Sequence, residues 1–220
     1  MKEKKEAIEV KYNYSLGEEI ANATSHGPMA ALALIFLPFA SVRAYIKGGV
    51  LDSVGVSVFV ISVFLMFLAS TLYHVMAVGT RHKYVFKILD HIFIYVAIAG
   101  TYTPIALSII GGWQGIVITI LQWGMVLFGI LYKSISKKSI PKVSLTIYLV
   151  MGWTIVFFMP IFLAKSPVLL SVFITLGGVL YSVGAYFYAK RGFKYHHMVW
   201  HFFVSMGALS HFIGIVFFLR

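Results

Sequence analysis

Seven runs of apolar residues, roughly 27–46, 53–77, 86–109, 113–132, 143–164, 167–189 and 197–219, alternate with short stretches where charges, glycines and prolines gather. A helix crosses the hydrocarbon core of a bilayer with about 20 apolar residues, and the connections leave no room for a soluble domain. The pattern predicts an all-α membrane protein: a seven-helix transmembrane bundle over 27–220, preceded by a polar tail over 1–26. Gly100-Thr101-Tyr102-Thr103-Pro104 interrupts the third run, where proline removes a backbone donor and is expected to kink the helix.

Composition agrees. Of 220 residues, 60% are hydrophobic and 11% charged, and the mean hydropathy of +0.90 lies outside the range of soluble domains. Met1 to Glu19 carry both signs of charge and no apolar stretch before a cleavage site, so they read as a tail and not as a signal peptide. Aromatic residues are spread as packing and interface belts, with no cage for a cofactor.

The net charge of +11 does not point to nucleic acid, because the cations sit at span ends and form no basic stripe interleaved with aromatics. They orient the bundle instead. Lys2, Lys4, Lys5, Lys11, Arg81, Lys83, Lys87, Lys133, Lys137, Lys138, Lys142, Lys190, Arg191 and Lys194 fall on one side, and Arg43, Lys47, Lys165 and Arg220 on the other. The positive-inside rule places the N-terminus in the cytoplasm and, with an odd number of spans, the C-terminus outside.

Ionisable residues inside such runs are costly unless paired or ligating. His197 and His201 are one helical turn apart on one face, and the predicted topology puts them at the same depth as His74 and Asp90. Without cysteine, a metal must be held by nitrogen and oxygen. Three neutral histidines plus a water form a common catalytic zinc set, so His74, His197 and His201 are the candidate ligands of Zn2+. Asp90, the only carboxylate at a span's inner end, is the candidate base that holds a water and takes its proton, or else a charge favoured by the helix N-terminus. Ser70, one turn before His74, either donates to a substrate or bonds back to its own helix. His211 lies ten residues beyond His201, about 15 Å along the helix, and reads as a packing residue. His82, His91 and His196 read as solvated or off the site, and His26 lies near it beside Glu19 and Asn22.

Ser70-Thr71-Leu72-Tyr73-His74, Asp90 and His197-Met198-Val199-Trp200-His201, with Glu18-Glu19-Ile20-Ala21-Asn22 leading to His26-Gly27, resemble the hemolysin III proteins of bacteria. That group lies within the progestin and adipoQ receptor family, which includes the adiponectin receptors. The resemblance covers nearly the whole chain. It implies seven helices with the N-terminus inside, and zinc near the cytoplasmic leaflet on His74, His197 and His201, with Asp90 linked to a water. The wider superfamily also contains alkaline ceramidases. By that similarity the implied chemistry is zinc-dependent hydrolysis of a lipid amide or ester, with membrane lipids or fatty-acyl compounds as partners and lipid homeostasis in the bacterial plasma membrane as the role. A non-enzymatic sensor or regulator of lipid composition with structural zinc is the alternative, and a pore-forming cytolysin a third reading.

Overall fold

A computed structural model describes residues 14–135, 141–190 and 192–220, and among them every regular element is helical. Lys2, Lys4, Lys5, Lys11, Lys137, Lys138 and Arg191, counted above, and Glu3, Glu6 and Glu9 of the tail lie outside the described residues. The elements are α1 (Leu16–Val75), α2 (Arg81–Pro104) with a π-helical extension (Ile105–Ile110), α3 (Gly112–Ile135), α4 (Pro141–Gly152), a 3-10 turn (Thr154–Phe158), α5 (Met159–Lys165), α6 (Val168–Lys190) and α7 (His196–Phe218).

Six helical stretches among the described residues are long and apolar enough to cross a membrane, against seven apolar runs in the sequence. The difference lies in α1, which is bent back on itself at Gly49, where φ is 78° and ψ −162°. Only glycine adopts that conformation readily. Ser53 Oγ donates to the Ser41 carbonyl at 3.0 Å, and the Ser41 and Ser57 hydroxyls bond each other. Sixteen residues of straight helix would separate Ser41 from Ser57 by about 24 Å, so the two limbs of α1 lie side by side.

Helix α1 also begins earlier than its apolar run. Ser15 is extended (φ −69°, ψ 163°), its Oγ accepts from the Glu18 N–H at 3.3 Å, and Glu18 Oε2 accepts from the Ser15 N–H at 2.9 Å. This reciprocal capping box starts a helix wherever the following residues permit one. Leu16 to His26, polar enough to read as tail, therefore form the first turns of α1.

The second limb packs closely on α2: a Cβ at Gly100 would overlap the Ser62 hydroxyl, and one at Gly55 would meet Pro104 Cα at 3.0 Å. Phe59, Phe67, Ile110, Phe162, Leu170 and Ile215 build the main apolar core. At Pro104 the helix changes pitch: its φ of −66° suits a helix, and the chain widens into the π-turn that follows. Tyr102 in the same segment pins the break after α4, its hydroxyl donating to the Gly152 carbonyl at 2.8 Å and accepting from the Ile155 N–H at 2.8 Å.

At the end of the bundle away from His74, cations satisfy helix-terminal carbonyls, as basic residues there commonly do. Arg43 Nε donates to the Val216 carbonyl at 2.9 Å and Arg220 Nη2 to the Ser108 carbonyl at 3.0 Å. Asp52, expected in a connection, is instead buried in the second limb of α1 and paired with Arg220 Nε at 2.9 Å. Apolar side chains such as Ile35, Phe128, Phe157 and Leu163 face outward, as lipid contact requires.

Candidate metal centre

His197 and His201 project from the first turns of α7, and His74 from the end of the second limb of α1. All three are buried, His201 completely. Each offers one ring nitrogen to a group in which these atoms lie within 4.8 Å of one another. A zinc ion takes nitrogen ligands at about 2 Å, so the spacing of the set is of the size that one ion could bridge.

Hydrogen bonds fix which nitrogens face the centre. His74 Nδ1 donates to Glu19 Oε2 at 2.6 Å, and Glu19 Oε1 accepts from Lys83 Nζ at 2.9 Å. Ser25 Oγ donates to the Asn22 carbonyl at 2.7 Å, so toward His201 Nδ1, 2.9 Å away, it is the acceptor. That makes the Nδ1 of His201 the protonated nitrogen. Nε2 of His74 and of His201, and both ring nitrogens of His197, are buried with no hydrogen-bond partner among the described residues. Buried polar atoms are rarely left so, because each costs free energy when it leaves water unpaired. An ion held by neutral imidazoles would satisfy them, and a carboxylate on the far nitrogen is the usual way a metal-binding histidine is oriented.

His26 stacks on His201 with ring centroids 3.7 Å apart, and its Nδ1 lies 2.9 Å from Ser70 Oγ. Ser70 thus bonds across the two limbs of α1. Asp90 is buried on α2, with His91 Nδ1 3.8 Å away, while the same His91 nitrogen donates to the Lys87 carbonyl at 2.7 Å. Ser70, Asp90 and His197 line one cavity of about 520 Å³ that continues past Tyr102 to Trp153, Tyr181 and His211. Its lining is mostly aromatic and aliphatic, with polar side chains at several places, among them Asp90 and His197 but also Thr101, Lys133, Ser182 and His211. His211 stands outside the cluster, donating from Nε2 to the Ile174 carbonyl at 3.1 Å. His82 is exposed, and His196 Nδ1 bonds the Phe193 carbonyl at 3.1 Å.

Glu19, Lys83 and Ser25 support the site without having been singled out for it. Glu19 and Lys83 look like ordinary members of a charged tail and a basic loop, yet both are buried. The signal that could have found Glu19 is spacing: Glu19, Asn22 and His26 recur at helical intervals, which places them on one face once the helix is extended back to Leu16.

Comparison with known proteins places these residues in a wider group. Residues 14–212 match the family described as Haemolysin-III related. The chain is 36% identical over 206 residues to the Hemolysin-3 homolog of Bacillus subtilis (strain 168), covering 93% of this chain and 96% of that protein. It is 35% identical over 208 residues to Hemolysin-3 of Bacillus cereus, covering 92% of each. A more distant similarity, 27% over 158 residues, covers 68% of this chain and 64% of the Monocyte to macrophage differentiation factor of Homo sapiens. With its six apolar helical stretches, the chain is a multi-pass membrane protein.

Proposed function

We propose, from the premise that this chain belongs to the Haemolysin-III related family, that it is a membrane-embedded hydrolase of a lipid amide or ester. In this reading His74, His197 and His201 hold one zinc ion, and the protein adjusts the lipid composition of its own membrane. The observation that carries it is a cluster of three imidazoles whose free edges have no partner among the described residues, with the buried Asp90 and His197 lining one mostly apolar cavity. A structural zinc is more often closed by four protein ligands, whereas three leave a position open.

A zinc ion at this place supplies an acidified water and polarisation of a carbonyl. The chain's own groups do the rest. Asp90 faces the cavity and accepts the proton of the attacking water at its carboxylate. With His26 Nδ1 protonated, that ring donates to Ser70 Oγ, and the serine proton is free to meet a substrate carbonyl. The cavity beyond Tyr102 takes an acyl chain and keeps water from it. Glu19, neutralised by Lys83, keeps His74 in the tautomer that presents Nε2.

In the bilayer, each limb of α1 crosses separately, giving seven crossings with the N-terminus and the metal centre toward the cytoplasm. The charge bias supports this. Lys83 and Lys133 are buried and so act less as interface anchors than the other cations on that side.

A second reading has one observation in its favour: Glu19, Ser25 and Asn22 of α1 all bond the imidazoles of the cluster, so a metal there would also tie α1 to α7. That is the arrangement of a structural ion in a regulator of lipid composition. Turnover decides between them. Purified protein in nanodiscs, given membrane lipid extract, is expected to release fatty acid in a metal-dependent way. Lipidomics of cells with wild type or His197→Ala should show the matching substrate accumulate in the variant. Absence of metal-dependent turnover together with unchanged lipids would favour the regulator.

A further inference from the structure

At the starts of α2 and α7 the cavity is lined by Tyr84, Lys87 and His196, which are exposed or half-buried, so it has a polar mouth there, with Tyr14 in the same lining. The ring of Tyr14 lies beside both His196 at this mouth and two histidines of the cluster. Its ring centroid is 5.1 Å from that of His197, 5.9 Å from His196 and 6.1 Å from His74, the last in an edge-on contact.

Its position is fixed by an interlock between two helix starts. Ser15 leaves the helical conformation, which carries Tyr14 sideways off the axis of α1. Glu18, already closing the capping box with Ser15, turns its other oxygen to accept from the Tyr195 N–H at 3.1 Å. Tyr195 is the N-cap of α7 in a left-handed conformation (φ 61°) and provides no side-chain cap of its own, so the carboxylate from α1 serves the start of α7. A Cβ at Gly17 would lie 3.3 Å from Tyr195 Oη, tight packing that brings the two starts together. One carboxylate thus holds both helix ends, and the tyrosine before them, in front of the cluster. Its bonds lie at an exposed edge, where competition with water keeps hydrogen bonds weak and opening frequent.

We propose that Tyr14 is the gate of the metal centre: its ring closes the polar mouth, and its displacement, released through Glu18, is the route by which an ion or water exchanges with the site. This rests on reading the histidines as a metal centre. It assigns Tyr14 a positioning role, with no ligation.

The test is the rate at which full-length protein, purified with its metal, loses that metal to excess chelator. Tyr14→Ala should hold the wild-type metal content before chelator is added and then release it about tenfold faster or more, the effect of a modest drop in an opening barrier. Tyr14→Phe keeps the ring and should release more slowly than Tyr14→Ala. Glu18→Gln loosens the interlock and should fall between wild type and Tyr14→Ala. A Tyr14→Ala rate equal to wild type in protein that holds metal would overturn the gate and leave the metal centre standing. Loss of metal from Tyr14→Ala before any chelator would also overturn it, by making Tyr14 part of the binding site. A wild-type protein without metal would overturn the centre and the gate with it.

Discussion

Glu19 Oε2 lies 2.6 Å from His74 Nδ1, joining residues 55 positions apart in the sequence. The contact exists because α1 turns back at Gly49, so that the first turn of one limb meets the last turn of the other. It makes the capped start of α1 a part of the histidine cluster.

Glu19→Gln is therefore expected to weaken metal binding by about ten- to a hundredfold, the usual effect of removing a partner that orients a ligand. It also removes the carboxylate that the buried Lys83 Nζ bonds at 2.9 Å, which is destabilising in itself. The double variant Glu19→Gln/Lys83→Met removes the lysine charge as well and should regain stability without regaining affinity. Competition with a chelating dye measures the affinity and thermal unfolding in detergent the stability. A Glu19→Gln protein with wild-type affinity would show the bond to be incidental.

Asp90→Asn is nearly isosteric and cannot accept a proton. Metal should remain bound at saturating zinc while hydrolysis of the lipid extract disappears. Unchanged turnover in this variant would remove Asp90 from the role of base.

Gly49→Ala tests the reversal within α1. A Cβ there meets nothing within 4 Å, so the whole effect comes from a backbone conformation that L-residues avoid. The cost should be about 1–3 kcal/mol, read as a lower unfolding temperature. Val50→Ala, at an exposed neighbouring position, should leave that temperature nearly unchanged. Equal stability of Gly49→Ala and wild type would mean that the turn is made elsewhere.

Topology is checked by fusing a reporter active only in the cytoplasm to each end. The N-terminal fusion should be active and the C-terminal one silent. Activity at the C-terminus would contradict seven crossings in this orientation.

What was legible in the sequence follows from the range of the signals. The histidines of α7 show themselves through a spacing of one turn, and His74 and Asp90 through being ionisable within apolar runs, all properties local to one helix. The apolar runs gave the helices themselves. The fold-back of α1 left a weaker trace, since Gly48-Gly49 reads equally well as an ordinary loop. Glu19 and Lys83 were hidden, because a buried ion pair between a charged tail and a basic loop differs from a solvated one only in tertiary contact. The same holds for Arg43 and Arg220, whose bonds to carbonyls on distant helices depend on packing. Pro104 was visible as a helix disturbance, while the π-turn that follows it depends on what the neighbouring helices allow.

The most direct test of the account is the metal content of protein purified without chelator, measured by mass spectrometry. Wild type should carry about one zinc per chain, and His74→Ala and His201→Ala should each lose most of it, since each removes one of three ligands. His211→Ala, outside the cluster, should keep its zinc. Full zinc in the His74→Ala and His201→Ala proteins, or none in wild type, would contradict a metal centre at these histidines.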